Sequence, residues 1–324
     1  MTNIGLIGCG MWGRNLARNL LALDALACVT DSTPANATAF AAEFNAPPAS
    51  FDDLCHDSSL DGVVISTPAH SHANIAVPLL AAGKHVYIEK PLALTMDDAT
   101  HIAAAANDHN RQVMVGHLIR YHAAFIELQK QLAAGVIGDL RHIQATRLAM
   151  GRIRNTESVL FDLCPHDLSL VLALTGTSPT HVSCAGASHV TPGIVDVLST
   201  VLGFDGGISA HLNTGWINPI KQHCLTVIGS TGSLVFDDTK PWDEKLTLFT
   251  DDIRQDGDYF TITRQPPKPL TLTQGEPLKD EMRAFIHSCK SGTPALTDMK
   301  DALTVQAVLE DMQRQLVDMT DVKS

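Results

Sequence analysis

The sequence predicts an α/β protein in two parts: a doubly wound parallel sheet at the N-terminus, then an α+β domain with a large, mostly antiparallel sheet. Up to about residue 117, short β-type runs alternate with helical patterns, the mark of βαβ units. Beyond Gly116 the β-type runs follow one another closely. Turn signals such as Asp205-Gly206-Gly207 and Ser230-Thr231-Gly232 separate them, which favours antiparallel pairing. A chain of 324 residues, 45% hydrophobic and 18% charged, has material for two cores and is not disordered. The predicted domains are 1–117 and 118–324.

The elements follow in order. Asn3–Ile7 reads as a strand, and Met11–Leu23 as a helix with Leu16, Leu20 and Leu23 on one face. Leu26–Thr30 is a second strand. Pro34–Phe44 is an Ala-rich helix with Thr33 as cap and Pro34 at its first position. Ser50-Phe51-Asp52-Asp53 opens a helix. Gly62–Ile65 is a buried strand, His70–Ala82 a helix stopped by Gly83, and His85–Ile88 another strand. Thr95-Met96-Asp97-Asp98 caps a helix running to about His109, and Gln112–Val115 closes the series. In the second part a helix over Ala123–Ala134 precedes β runs at Leu140–Leu148, His181–Ala187, Val195–Phe204, Ile208–Thr214, Leu225–Gly229 and Leu234–Asp237. Helices return at Leu278–Ser288 and Met299–Leu316.

Composition narrows the function. The net charge of −12 carries no basic run, which argues against nucleic-acid or anionic-membrane partners. No stretch approaches the roughly 18 to 20 apolar residues of a membrane span. Ile4–Ile7 is too short for a signal peptide's apolar region. The seven cysteines are scattered without metal-site spacing and read as reduced thiols, so the expectation is a cytoplasmic protein without a metal.

Gly8-Cys9-Gly10-Met11-Trp12-Gly13 is GxGxxG. It directly follows a predicted strand and opens a helix, the context that makes the motif a dinucleotide-binding (Rossmann) turn. The first glycine permits the tight turn, the second lets a pyrophosphate approach, and the third packs helix on strand. The helix N-terminus then faces the phosphates. Asp31 ends the second strand, 18 residues beyond Gly13. There a carboxylate accepts from adenosine ribose hydroxyls and repels a 2′-phosphate, so NAD is favoured over NADP.

Two further signals end predicted strands, where a doubly wound sheet binds ligands: Ser66-Thr67-Pro68 and Glu89-Lys90-Pro91. A lysine there can polarise a hydroxyl or carbonyl, or simply be a solvated surface group. A third lies at Asp162-Leu163-Cys164-Pro165-His166-Asp167. On one continuous helix Asp162 and His166 would share a face, and a carboxylate beside an imidazole suits acid/base work. Pro165 fits a first helical turn better than an interior, so the helix can instead begin near Leu163, with His166 and Asp167 as ornaments of its start.

These residues together resemble the glucose–fructose oxidoreductase/inositol dehydrogenase (Gfo/Idh/MocA) family over essentially the whole chain. The matching pieces are Gly8–Gly13, Asp31, Thr67-Pro68 with His72, Glu89-Lys90-Pro91, Gly116-His117 with Arg120, and Asp162 to His166. The resemblance implies a nicotinamide-dependent dehydrogenase of a sugar-like CH–OH group. It implies Lys90 and the Asp162/His166 pair as catalytic residues. It places Met11, Trp12, Arg14, Ser66, His72 and Glu89 with the glycines and Asp31 around the cofactor.

Met11-Trp12-Gly13-Arg14-Asn15, Arg152-Ile153-Arg154 and Phe161–Ser169 further resemble the family's branch that oxidises C3 of UDP-linked N-acetylglucosamine sugars. That likeness implies a 3-keto product passed to an aminotransferase in lipid A or envelope polysaccharide synthesis. Arg120, Tyr121, Arg152 and Arg154 are then candidate substrate contacts, although arginines equally make a solvated basic face. Alternatives are a UDP-N-acetylglucosaminuronate, a free sugar or inositol as substrate. From another class come an NAD-sensing regulator and a silent scaffold. Retention of both Lys90 and His166 speaks against the regulator. Apolar residues on both faces of Val195–Leu202 predict a homodimer or homotetramer formed through the second sheet.

Overall fold

The computed structural model describes residues 2–321. Its N-terminal part alternates β1 (Ile4–Ile7), α1 (Met11–Leu21), β2 (Leu26–Thr30), α2 (Pro34–Phe44) and α3 (Phe51–His56), then β3 (Gly62–Ile65), α4 (His72–Ala81), β4 (His85–Ile88), α5 (Met96–Asp108) and β5 (Val113–Val115). The five strands form one parallel sheet in the order β2-β1-β3-β4-β5. β1, β3 and β4 are buried at every residue, as apolar strands covered on both faces must be.

Successive residues serve opposite faces. Val63, Ile65, Val86 and Ile88 pack with Leu54 of α3, Leu79 of α4 and Ile102 of α5. Ile4, Leu6, Val64 and Tyr87 pack with Leu16 and Leu20 of α1 and Phe40 and Phe44 of α2. Two helix starts follow the predicted caps, whereas Thr33, expected to cap α2, precedes it without a side-chain cap bond, and Pro34 in the first turn marks that start instead. Ser50 and Asp53 close a reciprocal capping box, and the Thr95 side chain accepts from Asp98 N.

The second part holds α6 (Ala123–Ala133), β6 (Leu140–Met150), α7 (Val159–Asp162), α8 (Cys164–Thr175), β7 (His181–Ala187), β8 (Val197–Gly203), β9 (Ser209–Gly215) and β10 (Ile217–Gly229). Then come β11 (Ser233–Asp237), β12 (Leu246–Phe249), β13 (Asp252–Asp256), β14 (Tyr259–Thr263) and β15 (Lys268–Pro269). Eight strands form a sheet in the order β15-β12-β11-β10-β6-β9-β8-β7, with β13 and β14 as a separate hairpin. Pairing is antiparallel throughout the large sheet except between β6 and β9.

One face carries Ile143, Ala145, Leu198, Leu202, Leu212 and Val227, all buried. The other presents Gln144, Ser199, Val201 and His211, which are exposed. A groove of about 470 Å³ on that second face is lined by uncharged residues, among them Gln144, Thr146, Ser199, Asn213 and Gln222.

β10 begins eight residues before the predicted Leu225, because Pro219, Lys221 and His223 break the apolar alternation that identifies a strand. The short strands from Leu246 to Pro269 also lie outside the prediction: β13 (Asp252-Ile253-Arg254-Gln255-Asp256) and β15 (Lys268-Pro269) are charged or Pro-bearing, whereas β12 and β14 are β-prone but only four and five residues long.

The chain also divides differently from the predicted 117/118 boundary. One compact unit comprises the described residues up to Tyr121 together with Glu276–Ala307, and the other His122–Gly275 with those from Val308 on. The helix α9 (Pro277–Ser291) buries Met282 and Phe285 in the cluster on the α1/α2 side of the parallel sheet. The start of α10 (Met299–Asp321) adds Ala302 to the cluster on the other side. An amphipathic helix announces its apolar face but not the core that face will enter, so this return is invisible locally.

Candidate active site

In the first unit the glycine turn sits where β1 and β3 end. Gly8 has a φ of +102°, and a Cβ on it would lie 2.6 Å from the Ser66 carbonyl oxygen. A Cβ on Gly13 would meet the Gly8 carbonyl oxygen at 2.0 Å, so helix and turn touch as the motif requires. At Gly10 a Cβ would meet nothing within 4 Å. That open space beside the α1 N-terminus fits a pyrophosphate.

Asp31 turns its carboxylate toward this loop. Oδ2 accepts from Cys9 N at 2.9 Å, and Oδ1 accepts from Thr33 N at 2.9 Å and Asn36 Nδ2 at 3.3 Å. Each carboxylate oxygen accepts about two bonds, so Oδ2 keeps room for a ribose hydroxyl. Together these features fit the pyrophosphate and a ribose of a dinucleotide.

Around the loop, Met11 and Trp12 are exposed, and Arg14 pairs with Glu43 at 2.9 Å beside the Phe40 ring. His72 is fully buried. Its Nδ1 lies 3.0 Å from the Pro91 carbonyl and its Nε2 3.0 Å from that of Thr67, so it ties the Ser66-Thr67-Pro68 turn to the segment after Lys90.

Glu89 and half-buried Lys90 follow β4. Glu89 Oε1 accepts from Trp12 Nε1 at 2.5 Å and from the Tyr87 hydroxyl at 3.0 Å. Burial leaves the Glu89 carboxyl raised, and the Trp12 bond and the Lys90 charge offset part of that rise. Buried His117 is pushed down to about 3, by burial first and then by the Arg120 and Lys90 charges, so it is neutral.

Arg120 and Tyr121, assigned to substrate by resemblance, lie inside the first unit. Arg120 is buried and paired with Asp301 at 2.6 Å. The Tyr121 hydroxyl is 3.4 Å from Thr297 Oγ1 and is pushed up to about 12 by burial. Both side chains thus hold partners within the first unit.

In the second unit the Asp162–His166 stretch is not one helix. α7 ends at Asp162, Leu163 adopts φ −106° and ψ −39°, and α8 begins at Cys164 with Pro165 in its first turn. The shared-face geometry of a continuous helix therefore does not apply. Asp162 is held by Trp216 Nε1 at 3.0 Å and by the Arg154 guanidinium at 2.7 Å. Arg154 also lies 3.8 Å from Glu157, while Arg152 is exposed.

His166 is half-buried at the start of α8. The next residue, Asp167, makes a bidentate pair with Arg147 of β6, with contacts of 2.7 to 3.1 Å inside the core. That pair pins the α8 N-terminus, and with it the His166 backbone, to the sheet. Sequence reasoning missed Trp216, Arg147 and Asp301. Only Trp216 carries a faint signal, as one of three tryptophans in the chain. Among the described residues no cluster of three or more His, Cys, Asp or Glu could hold a metal ion, and no helix is long and apolar enough to cross a membrane.

Comparison with known proteins adds the family. Residues 2–117 match the profile of the Gfo/Idh/MocA "Oxidoreductase family, NAD-binding Rossmann fold", and residues 125–235 match the family's C-terminal domain. UDP-N-acetylglucosamine 3-dehydrogenase of Acidithiobacillus ferrooxidans is 35% identical over 189 residues, 58% of each protein. A crystal structure of that enzyme superposes with a TM-score of 0.85 at 26% identity, covering 97% of both chains. Inositol 2-dehydrogenase 1 of Saccharopolyspora erythraea is 34% identical over 246 residues, 70% of this chain and 72% of that one. The chain belongs to the Gfo/Idh/MocA family of oxidoreductases, with the family's NAD-binding Rossmann fold at its N-terminus.

Proposed function

We propose that this chain is an NAD-dependent dehydrogenase that oxidises the C3 hydroxyl of a UDP-N-acetylglucosamine-type sugar to the 3-keto sugar. The observation that carries the reading is the likeness to UDP-N-acetylglucosamine 3-dehydrogenase over nearly the whole chain. Asp31, facing the glycine loop and followed in the chain by the uncharged Ser32 and Thr33, supports NAD over NADP.

A secondary alcohol is far too weak an acid to ionise unaided at neutral pH. The site therefore needs a base near 7, and a histidine's ordinary value is about 6.5. His166 takes the C3 hydroxyl proton. Asp162, oriented by Trp216 and Arg154, supplies the carboxylate of that set. Lys90 donates to the same oxygen and stabilises the charge that develops there. When bound, the nicotinamide supplies the hydride acceptor.

The 3-keto product passes to an aminotransferase in lipid A or envelope polysaccharide synthesis, in the cytoplasm. The chain works as a homodimer or homotetramer built through the exposed face of its large sheet. Oxidation of an inositol is the second reading, favoured by the 34% identity to inositol 2-dehydrogenase 1. A panel of nucleotide sugars, their uronates and free polyols, assayed for NADH formation with products weighed by mass spectrometry, tests both. Turnover of a UDP-N-acetylglucosamine sugar to a product two hydrogens lighter at C3 is the expected result; turnover of inositol alone selects the second reading.

A further inference from the structure

Two carboxyl groups compete for one phenol proton in the first unit. Tyr87, on β4, is fully buried. Its hydroxyl oxygen lies 3.0 Å from Glu89 Oε1 and 3.0 Å from Oε2 of Glu281 on α9. A phenol has a single proton to donate. With both carboxyls ionised, one of them would face a lone pair of the phenol oxygen with no hydrogen between, in a poorly screened interior. A second proton therefore resides on one of the two acids.

Glu89 has other donors: Trp12 Nε1 on Oε1, and the Lys90 backbone N on Oε2 at 3.3 Å. Glu281 is fully buried, and its Oε1 has no hydrogen-bond partner among the described residues. A buried carboxylate oxygen without a donor is costly, whereas the carbonyl oxygen of a neutral acid is much less so.

We propose that Glu281 is a neutral carboxylic acid in the folded protein and acts, through Tyr87, as a positioning residue for Glu89 and the adjoining Lys90. Glu281 Oε2–H donates to the Tyr87 oxygen, the Tyr87 O–H donates to Glu89 Oε1, and Trp12 Nε1–H donates to the same ionised carboxylate. Each donor in the chain then has an acceptor, and the negative charge rests beside the lysine.

The electrostatics run the same way. Burial, and then the Glu89 charge, push Glu281 well above the usual carboxylate range. Burial, then the two acids, push the Tyr87 phenol up, so it keeps its proton. Tyr121, which also senses Glu281, sits at about 12 and stays neutral. Glu281 lies in the segment that returns to the parallel sheet after the second unit, so this return completes the surroundings of Glu89.

The effect on turnover rests on the role of Lys90 proposed above; the proton does not. Infrared spectra of the whole protein at neutral pH should show a carboxylic-acid C=O band. The band should move on ¹³C-glutamate labelling and vanish in Glu281→Gln. Glutamine can still donate N–H to the Tyr87 oxygen, so this variant should keep the parental pH profile and kcat within about twofold. Glu281→Leu, which donates nothing, should cut kcat by about tenfold with the NAD Kd unchanged. Tyr87→Phe should lose a similar factor while leaving both acids in place, and it stands in if Glu281→Leu fails to fold. A parent without the band, or a band that survives in Glu281→Gln, overturns the neutral acid. Parental kcat in Tyr87→Phe overturns the positioning role. If no sugar is turned over, the dehydrogenase reading falls, and the infrared band still decides for or against the acid.

Discussion

At Asp31 and His166 a single side chain decides the outcome. The Asp31 carboxylate is held at the glycine loop by Cys9 N and Thr33 N, and on the proposed reading its charge excludes a 2′-phosphate. Measured kcat/KM should favour NAD over NADP. Asp31→Ala should lose about tenfold with NAD and narrow the gap, because one charged acceptor and one repulsion vanish together. Equal values for the parent would mean that Asp31 serves only its backbone partners. For the proton, His166→Asn should cut kcat by roughly 10² to 10⁴ with NAD affinity kept, and the acidic limb of the pH–rate profile should disappear. The sign follows from the chemistry: a base works only when deprotonated, so activity rises with pH through its pKa. If Lys90→Met removes that limb while His166→Asn merely raises KM, the lysine is the base.

At the scale of elements, the glycine turn between β1 and α1 separates folding from binding. Gly10 has φ −76°, which any residue adopts, and open space where a Cβ would go. Gly10 is the N-cap of α1, where Val is poorer than Gly, so Gly10→Val should lower the unfolding free energy by no more than about 1 kcal/mol. It should raise the NAD Kd by about a hundredfold, since a clash of ~3 kcal/mol falls on the ligand alone. Parental NAD titration by this variant would show that the turn is not the phosphate site. The same contrast explains what was legible. Helix starts at Ser50 and Thr95 were readable because capping is local chemistry. The break at Leu163 was only half-readable: Pro165 signals a first turn, but the partner that holds Asp162, Trp216, lies 54 residues away.

For the whole molecule, the exposed face of the eight-stranded sheet is the testable surface. It is largely uncharged, with Val201 42% exposed among Gln144, Ser199 and Asn213. A broad sheet face without a covering layer of helices suits an isologous contact with a second copy. Light scattering at micromolar concentration should give a multiple of the chain mass, and Val201→Arg should shift it to the monomer with the fold retained. A parent that scatters as a monomer removes the proposal.

By itself the sequence determined the order and type of the N-terminal elements, the glycine turn, Asp31 at the end of the second strand, and the antiparallel character of the second sheet. These are consequences of periodicity, capping and backbone sterics, which act over a few residues. Only the tertiary structure decided that α9 and the start of α10 complete the first unit, and that Glu281 meets Glu89 through Tyr87. It also decided that Arg120 is spent on Asp301, and that Asp162 is held by Trp216 and Arg154. Apart from the Arg154–Asp162 pair, which is local, each of these joins residues far apart in the chain. The pairing of a buried charge or the filling of a core is settled by which surfaces meet, and local sequence does not contain that information.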